Sequence, residues 1–564
     1  MSYRSGMMQW SVGLCLVLFA LGSTTGCEKK KPEKHKATGK KKKKKQEQKD
    51  EFVAGSEADA FSFALESDPE SLDPTRISGA PGGRIAFNIF EGLLMPAKTT
   101  EDAKEPGDLV RPGVAESYEV SEDGKTYTFK LRSDAKWSNG DPLTAADFIY
   151  SWKRTLLPGY PADYAELFYD IKGVPEYNNE DTESNWENVG IKAPDKHTIK
   201  IELSHPTPYF PELIAFYTFF PQPKPVVKEH GNEWTKPDYI RTNGAYKLTE
   251  YVKGREIVLE KNENYWDADN VSIEKVRIPI IENTEKLVEA YKNEKLHWTG
   301  ASLAPWQVPD FKDRPDYHKE NTLGTYYVRI NVSDGESFLS NPKLAQALRL
   351  AVDRQAIVDD KLNGVFDIAD SFVPDGMTGY ASQYKLEHDV EKAKKLLEEI
   401  GHPKGKDLRE IEILHNKGKM HTRVVAALEE AWESKLGLKI KPVEKSWEDY
   451  LRDIDITNYD LARSGWVGDY ADAMTFLEMW TSGNGNNDTG WSNDKYDEFI
   501  TKAKEAKQSP ERIKKLLEAE QLLLEKGPVI PIFHFAEHVL VGEKVQGYAM
   551  HNRNIHLLKD LSVE

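Results

Sequence analysis

The stretch ARSGWVGDYADAMTFL, residues 462–477, places aromatic residues on both sides of Asp469. Apolar neighbours indicate that this carboxylate is not freely solvated, and a buried carboxylate without a positive partner is costly. The stretch contains one cation, Arg463. The chemistry that these residues could do is charge pairing, and the question they raise is which positive group Asp469 meets; a local arginine such as Arg463 is one candidate.

A second set of residues, His534, Glu537 and His538, matches the H-x-x-E-H order of inverted zinc proteases. That chemistry needs a helix, because residues four apart share a helix face. Here the motif follows GPVIPIF, whose prolines and β-branched residues favour a strand, and a strand would direct Glu537 away from both histidines. We therefore expect two histidines in a sheet and no metal site. A zinc hydrolase is the alternative, which metal analysis would test.

Other patterns of catalysis and nucleotide binding are not found in the sequence. It contains no GxxxxGK[ST] loop, no GxGxxG after a strand, no GxSxG elbow and no HExxH. The two cysteines, Cys15 and Cys27, both lie within the first 27 residues. The rest of the chain therefore has no disulfide, no thiol chemistry and no cysteine-based metal site.

The charge of the chain is unevenly distributed. The 564 residues carry a net charge of −17, but residues 1–51 hold 13 Lys/Arg and 5 Asp/Glu, a net of +8, which leaves −25 for the remainder. An acidic body argues against nucleic-acid binding. It suits a soluble protein that meets cationic ligands.

The N-terminal segment has the pattern of an export signal. An apolar run of signal-peptide length, residues 11–22, is too short to span a bilayer comfortably. STTGC follows and ends at Cys27; it resembles a bacterial lipobox, although Thr24 stands where Leu is usual. We assign residues 1–26 to a lipoprotein signal peptide and Cys27 to lipidation. An ordinary signal peptide cut near Gly26 is the alternative.

The segment after Cys27 is rich in lysine. Residues 28–52 contain twelve lysines, which repel one another and leave almost nothing to bury. We expect residues 27–57 to be a disordered tether. Its lysines would strengthen attachment to anionic head groups if Cys27 is acylated.

From residue 60 onward, strand-like and helix-like segments alternate, which predicts an α/β protein of several lobes. In YTFKLRSDAKW, Tyr127, Phe129 and Leu131 alternate inward as in a half-buried strand. In TAADFIYSWKRTL, Thr144 and Asp147 have the spacing of a capping box. Further helices are predicted over 83–94, 341–362, 389–401, 495–506 and 510–527, the third of them ended by Gly401.

Several motifs, in order, resemble those of the solute-binding components of ABC importers for peptides, with most similarity to the oligopeptide-binding branch. They are DPESLDP (68–74), FEGLL (90–94), the segment 113–154, TNGAYKL (242–248), LEKNENYWD (259–267), LAQALRLAVDRQAIV (344–358), GWVGDYADAMTFL (465–477) and YDEFI (496–500). The resemblance runs from about Phe61 to the C-terminus.

The resemblance implies a periplasmic-binding-protein-like fold of class II with three lobes. The chain would cross twice between lobes I and III, which enclose the ligand cleft, and lobe II would pack on lobe I. Applied to this sequence, lobe I takes 58–94, 225–323 and 536–564, lobe II takes 95–224, and lobe III takes 324–535.

The resemblance also implies how a ligand is held. Asp469 matches the acid of the G-W-x-x-D-Y motif, which receives the free α-ammonium of the peptide through a charge-assisted hydrogen bond. The segment 463–467 would offer main-chain groups to which the peptide adds as a strand, and 77–80 matches the segment that faces it. The ligand-binding residues implied are Asp469, Arg463, Gly465, Trp466, Val467, Ser78, Gly79, Ala80, Tyr164, Trp447 and His421.

Four of these residues have individual roles in the resemblance. Tyr164 and Trp447 match aromatic walls of the cleft. Arg463 and His421 match groups that meet the C-terminal carboxylate of the peptide at different peptide lengths, and a surface-helix histidine is the alternative for His421. Ser78 stands where the family has an acid, so a preference for basic side chains beside it does not carry over.

The function that the resemblance implies is that of a lipid-anchored oligopeptide-binding protein on the outer face of a cell membrane or in the periplasm. Its partners would be short peptides and the permease and ATPase subunits of an ABC importer. We expect a monomer that is not an enzyme, needs no cofactor and binds no nucleic acid. Other ligands remain open, namely a dipeptide, murein peptide, haem or nickel chelate, as does a receptor or adhesin that has no transporter.

Overall fold

The computed structural model describes residues 60–100, 103, 106–179 and 185–564 of the chain. The signal peptide assigned to 1–26, the tether assigned to 27–57 and the lipidation site Cys27 lie outside these residues. The described part belongs to one compact unit, Ser56–Glu564. None of its helices is both long and apolar enough to reach across a bilayer.

Helices occur throughout the described part of the chain. They are α1 (Ala80–Ile89), α2 (Ala145–Thr155), α3 (Val174–Asn178), α4 (Phe210–Ile214), α5 (Lys224–His230), α6 (Thr284–Lys292), α7 (Pro342–Ala351), α8 (Arg354–Ala356), α9 (Val390–Glu399), α10 (Lys419–Leu436), α11 (Trp447–Asp455), α12 (Met474–Leu477), α13 (Asp494–Glu505) and α14 (Pro510–Lys526).

Strands alternate with these helices. They are β1 (Phe61–Ser62), β2 (Leu94–Pro96), β3 (Val110–Pro112), β4 (Ala115–Val120), β5 (Thr126–Leu131), β6 (Ile191–Asp195), β7 (Thr198–Glu202), β8 (Tyr246–Val252), β9 (Glu256–Lys261), β10 (Lys275–Pro279), β11 (Tyr317–Ile330), β12 (Asp367–Ile368), β13 (Ile411–Asn416), β14 (Ile440–Lys445), β15 (Leu461–Val467), β16 (Val529–Leu540), β17 (Val545–Gln546) and β18 (Ser562–Val563).

The strands form three larger sheets and two short pairs. One four-stranded sheet has the order β1-β10-β9-β8, and a second has the order β4-β5-β7-β6 and is antiparallel. The six-stranded sheet has the order β12-β16-β11-β15-β13-β14, in which β13 is parallel to both of its neighbours. The short pairs are β2 with β3 and β17 with β18.

The two longest strands, β11 and β16, pair with each other in the middle of the six-stranded sheet. Alternate side chains of β11 enter different apolar clusters, since Tyr327 packs in one cluster and Tyr326 and Val328 pack in another. Residues 322–330 of this strand are accordingly all buried. The boundaries predicted between lobes I and III, at 323/324 and 535/536, fall inside these two strands.

The sequence predicts local structure correctly where the residues that determine it are close neighbours in the chain. Helix α2 begins with the capping box of Thr144 and Asp147, as predicted. Strand β5 buries Tyr127, Phe129 and Leu131, also as predicted.

The helix predicted over 83–94 is wrong at both ends. Helix α1 begins at Ala80 and ends at Ile89, and Phe90 is extended (φ −123°, ψ 161°). The residue after it, Glu91, is buried and accepts hydrogen bonds from the hydroxyl of Tyr265 and from Nε1 of Trp266 (2.6 Å). These contacts with a distant segment override the helical periodicity of 90–94.

The single helix predicted over 341–362 is also wrong. Helix α7 ends at Ala351, and Asp353 begins a new turn by accepting a hydrogen bond from the N–H of Ala356 (3.0 Å). The side chain of Arg354 is then free to enter the core, where its Nε donates to the carbonyl of Pro531 (2.7 Å). A π-helical turn, Ile357–Lys361, completes the segment.

Candidate functional site

Strand β15 carries an open edge along most of its length. On one side it pairs with β11 over its whole length, from Gly324 opposite Val467 to Ile330 opposite Leu461. On the other side β13 pairs only with the first two residues of β15, Leu461 and Ala462. Within the described part of the chain, residues 463–467 therefore have no strand on that side.

The main-chain groups at this edge face outward. The carbonyl of Arg463 accepts a hydrogen bond from the hydroxyl of Tyr450 (2.6 Å), so this peptide group points away from β11. Because pairing directions alternate along a strand, the peptide groups of Gly465 and Val467 face the same edge. Both residues are exposed, and a Cβ at Gly465 would lie only 3.1 Å from the ring of Phe535. This edge can accept an added strand.

The loop after β15 is held rigidly at both ends. The N–H of Gly468 donates to the carbonyl of Leu323 (2.7 Å), and a Cβ at Gly468 would come within 2.9 Å of the ring of Phe476. Asp472 ends the loop by accepting a hydrogen bond from the N–H of Met474 (2.9 Å). Its carboxylate also pairs with Arg512 (2.8 Å).

Asp469 lies between Gly468 and Asp472, but unlike Asp472 it has no arginine paired with its carboxylate. Among the described residues, no side chain donates a hydrogen bond to its carboxylate, and no cationic nitrogen lies within 4.0 Å of it. Burial and the nearby carboxylate of Glu166 raise the pKa of Asp469 to about 7, against an opposing effect of Arg553. A cation brought to this carboxylate would stabilise its charged form.

Tyr164 links Asp469 to the segment 78–80. Its hydroxyl donates to the carbonyl of Ser78 (3.3 Å). Burial raises the pKa of Tyr164, and the carboxylate of Asp469 raises it further. The ring packs edge-on against Tyr217 (6.1 Å between centroids), which in turn fills the space where a Cβ on Gly83 would lie. The structure thus brings Ser78, Tyr164 and Asp469 together.

The segment 78–80 leads directly into helix α1. Ser78 and Ala80 are exposed, and Gly79 is half-buried and extended (φ −110°, ψ 157°). The carboxylate of Glu70 accepts hydrogen bonds from the N–H groups of Ser78 (2.7 Å) and Gly79 (2.6 Å). Helix α1 has no side-chain cap, and Glu70 instead satisfies the N–H groups of the two residues that precede the helix.

A second group of predicted residues surrounds Arg463. Its guanidinium is buried, donates to Oδ1 of Asn416, and lies over the rings of Tyr450 (4.9 Å) and Trp447 (5.7 Å). Among the described residues no carboxylate lies within 4.0 Å of this guanidinium, and its Nε has no hydrogen-bond partner. The pairing of Arg463 with Asp469 offered above as an alternative is therefore wrong. Instead, Arg463 lies at one end of the open edge without a carboxylate within 4.0 Å, and Asp469 follows the other end without a cationic nitrogen within 4.0 Å, among the described residues.

Trp447 and His421 complete this second group. Trp447 begins α11, is 55% exposed and stacks on Tyr450 (5.4 Å). His421, in the first turn of α10, is half-buried with Nδ1 3.3 Å from the hydroxyl of Tyr326. Burial and the charge of Arg463 lower the pKa of His421 to about 3, which leaves the imidazole neutral at physiological pH.

Trp466 differs from its neighbours on β15. Its ring packs against the larger apolar cluster, and its Nε1 is buried without a hydrogen-bond partner among the described residues. Its side chain is therefore part of the core, and only the main chain of Trp466 belongs to the edge strand.

The H-x-x-E-H residues lie on β16, so the strand prediction for them is confirmed. His534 and His538 have separate partners, because Nδ1 of His534 lies 2.9 Å from Oγ1 of Thr325 and Nδ1 of His538 lies 2.7 Å from the hydroxyl of Tyr317. In the part of the chain that is described, no group of three or more His, Cys, Asp or Glu side chains has metal-binding geometry.

A cavity of about 870 Å³ lies beside Ser78 but does not contain Asp469 among its lining residues. Its walls include Glu70, Asp163 and Tyr251. Ser78 lines this cavity, and so does Glu70, which binds the N–H groups of Ser78 and Gly79. The cavity therefore adjoins the segment 78–80, and we assign no ligand to it.

Sequence reasoning missed three residues that shape the site, Glu70, Glu212 and Arg553. Glu212 had a signal, since it is the one acid in the apolar run PYFPELIAFYTFF. Arg553 had none, because nothing in HNRN distinguishes it from a surface arginine.

Comparison with known proteins gives concordant matches. Residues 110–488 match the family model for bacterial extracellular solute-binding proteins, family 5. The oligopeptide-binding protein OppA of Bacillus subtilis is 33% identical over 500 residues, which are 86% of this chain and 89% of that protein.

Solved structures agree with these sequence matches. A periplasmic oligopeptide-binding protein of Borrelia burgdorferi matches with a TM-score of 0.78 and 28% identity over 90% of this chain and 100% of that one. OppA of Haemophilus influenzae in complex with RPPGFSPFR matches with a TM-score of 0.76 and 30% identity over 89% and 98%.

Proposed function

Because the chain belongs to the bacterial extracellular solute-binding proteins of family 5, we propose that it captures short peptides outside the cytoplasm and delivers them to an ABC importer. Its fold is the α/β fold of periplasmic-binding-protein type that the sequence predicts. Support for peptides as the ligand comes from relatives named as oligopeptide-binding proteins and from the relative in complex with RPPGFSPFR.

One observation carries the proposal: an open strand edge is flanked by a buried cation, Arg463, and a half-buried acid, Asp469, and neither has an oppositely charged partner within 4.0 Å among the described residues. The edge runs from Arg463 to Val467, and Asp469 follows it. Four residue steps along a strand span about 13 Å, which is the length of a short peptide. A zwitterionic peptide supplies main-chain groups for the edge and a charge for each end.

In this proposal the peptide adds to β15 as a strand. Its α-ammonium reaches Asp469, where a charge-assisted hydrogen bond forms in a poorly solvated site. The segment Ser78–Ala80 faces it from the other side, with Tyr164 closing the gap between that segment and Asp469. Main-chain recognition gives affinity without selecting side chains.

At the far end of the edge, Arg463 receives the C-terminal carboxylate of a peptide that is long enough to reach it. The neutral imidazole of His421 offers a hydrogen bond rather than a charge. Trp447 covers this end as an exposed aromatic wall. The protein makes and breaks no covalent bond and holds no cofactor.

We further propose that the chain is organised in three lobes, with lobe I at 58–94, 225–323 and 536–564, lobe II at 95–224 and lobe III at 324–535. Each four-stranded sheet lies inside one of these assignments, β1 and β8–β10 in lobe I and β4–β7 in lobe II. Strands β11 and β16 contain the two crossings, so bending of this strand pair would open and close the cleft.

Outside the described residues, we propose that Cys27 carries a lipid anchor and that residues 27–57 tether the binding domain to the membrane. The binding domain acts as a monomer on the periplasmic or extracellular face. Its partners are the permease and ATPase subunits of a peptide importer, and it binds no nucleic acid.

The decisive experiment is calorimetric titration of a free-amine tetrapeptide into wild-type protein and Asp469→Asn. Loss of one partner of a buried charge pair costs about 2–5 kcal/mol, so we expect binding to weaken by about 30-fold or more. The matched control is Asp313→Asn, which changes an exposed acid and leaves affinity unchanged.

The same titration with the N-acetylated tetrapeptide tests the identity of the partner. We expect this peptide, which has no ammonium group, to bind wild-type protein weakly and to lose nothing further in Asp469→Asn. Equal binding of the free and acetylated peptides to wild-type protein would contradict the proposed function.

A further inference from the structure

The loop that carries Asp469 is contacted from behind by a buried acid and a buried base from two distant segments. Glu212 lies in α4 and Arg553 lies near the C-terminus, and their side chains are 1% and 6% exposed. Arg553 Nη2 lies 3.9 Å from Glu212 Oε2. At this separation the two side chains attract each other but do not hydrogen-bond to each other.

Each of the two side chains binds the backbone of the loop instead. Nη1 of Arg553 donates to the carbonyl of Asp469 (2.9 Å). Oε2 of Glu212 accepts a hydrogen bond from the N–H of Ala471 (2.9 Å). Between these two points Tyr470 stacks on Tyr209, next to α4, with centroids 4.3 Å apart and planes 10° apart. The backbone on both sides of Tyr470 is thus fixed from outside the loop.

The arrangement is too costly to be explained by stability alone. Oε1 of Glu212 and Nη2 of Arg553 are buried and have no hydrogen-bond partner among the described residues. An unpaired buried polar group costs about 1–3 kcal/mol, and more when it is charged. A fold that needed only to anchor this loop would do so more cheaply with neutral side chains.

We propose that Glu212 and Arg553 are positioning residues for ammonium recognition: they fix the backbone of the Asp469 loop from behind, and Arg553 places a positive charge beside the acid that receives a cationic peptide terminus. This inference rests on the proposed function, because it assigns the two residues to the site that the peptide ammonium occupies.

The charges around Asp469 support this role for Arg553. Glu166, Tyr164 and Tyr217 face Asp469 from other segments, and of the charged groups among them Glu166 raises the pKa of Asp469. Arg553 is the cation that lowers it. Burial raises the pKa of Glu212 to about 7, again opposed by Arg553, so the same arginine acts on both acids.

The sign of the expected pH dependence follows from these contacts. Peptide ammonium binds the ionised form of Asp469, so affinity for a free-amine peptide falls about tenfold per pH unit below the pKa of Asp469. Removing the positive charge of Arg553 removes an effect that lowers this pKa. The midpoint of the affinity profile therefore moves from about 7 to higher pH.

The test measures the dissociation constant of a free-amine tripeptide from pH 5.5 to pH 8.5 for wild-type protein, Arg553→Met and Arg553→Lys. We expect the midpoint to rise by about one pH unit in Arg553→Met. Arg553→Lys keeps the charge, so its midpoint stays near that of wild-type protein. The double variant Glu212→Gln with Arg553→Met removes both charges of the pair, so neither is left without the other; it is the variant to measure if Arg553→Met does not fold, and we expect the same upward shift in it.

A second readout needs no peptide. For wild-type protein and for each Arg553 variant, the melting temperature of the ligand-free protein is compared with that of the same protein carrying Asp469→Asn, across the same pH range. The pH dependence of this difference reports the titration of Asp469 itself, and we expect its midpoint to lie at higher pH in Arg553→Met than in wild-type protein. If it rises while free and acetylated peptides bind equally, the action of Arg553 on Asp469 stands, but recognition of an ammonium group and the proposed function fail. Unchanged midpoints in Arg553→Met and in the double variant, with only lower melting temperatures, would overturn the positioning role.

Discussion

Asp469 and Asp472 are three residues apart in the same loop, yet the fold treats their charges in opposite ways. Asp472 makes a bidentate pair with Arg512, with both oxygens 2.8 Å from guanidinium nitrogens, and the two side chains are 5% and 1% exposed. Asp469 has no hydrogen-bond donor among the described side chains, and burial raises its pKa to about 7. One acid is paired with a cation inside the fold, and the other has no bonded cation among the described residues.

Under the proposed function, the difference shows how an acid that stabilises the fold can be told from an acid that recognises a ligand. The charge of Asp472 helps to hold Arg512 in its protonated form, since the pKa of this arginine is raised even though burial alone would lower it. The carboxylate of Asp469 has no cationic nitrogen within 4.0 Å among the described residues. A buried acid that costs stability persists in a fold only if something other than stability depends on it.

The largest effect that separates the two acids is expected in Asp472→Asn. This substitution leaves Arg512 buried without its counter-charge, which costs about 3–5 kcal/mol of unfolding free energy. Urea denaturation of the ligand-free protein measures the loss. The compensated variant Asp472→Leu with Arg512→Met should regain most of it, and a single variant as stable as wild-type protein would erase the distinction between the two acids.

A smaller effect of opposite sign is expected in Asp469→Asn. The pKa of Asp469 is raised in the folded state, so the unfolded chain releases this proton at lower pH and the contribution of Asp469 to stability falls as pH rises from about 4 to about 7. At pH 8 the substitution should therefore stabilise the ligand-free protein by about 1–3 kcal/mol. At pH 4 the two proteins should be equally stable, and lower stability of Asp469→Asn at pH 8 would show that this charge is compensated after all.

The smallest effect is expected from removing a single tyrosine hydroxyl, either in the candidate site (Tyr164) or in the core (Tyr496). Tyr164→Phe removes the hydrogen bond to the carbonyl of Ser78, and we expect peptide affinity to fall by about 2- to 10-fold, the value of one hydrogen bond. Tyr496→Phe is the matched control, because its hydroxyl donates to the carbonyl of Leu477 (2.6 Å) in the core. It should lower stability without changing affinity, and a reversed pattern would remove Tyr164 from the site.

Several features of the fold could be predicted from short stretches of sequence. The capping box of Thr144 and Asp147, the alternation in β5 and the strand at His534 were all read correctly. In each case the residues that determine the conformation are within a few positions of one another. The prediction fails at Glu91 and at Arg354, where a side chain is drawn into contacts with residues 174 and 177 positions away.

The same limit applies to the candidate site. Asp469 could be singled out because its apolar and aromatic neighbours are visible in the sequence. That Arg463 turns to Asn416, and that Arg553 contacts the Asp469 loop, could not be predicted, since these contacts bridge 47 and 84 positions. Glu70 was missed for a related reason, because its bonds to Ser78 and Gly79 depend on how the intervening turn folds.

The sequence by itself determined the family, the local helices and strands, and the presence of an acid in an apolar setting, because periodicity, capping and motif order are properties of neighbouring residues. Only the tertiary structure decided which acid is compensated and which is not. Charge compensation depends on distances in space, and packing alone brings Arg512 to Asp472 while it leaves the carboxylate of Asp469 without a bonded cation.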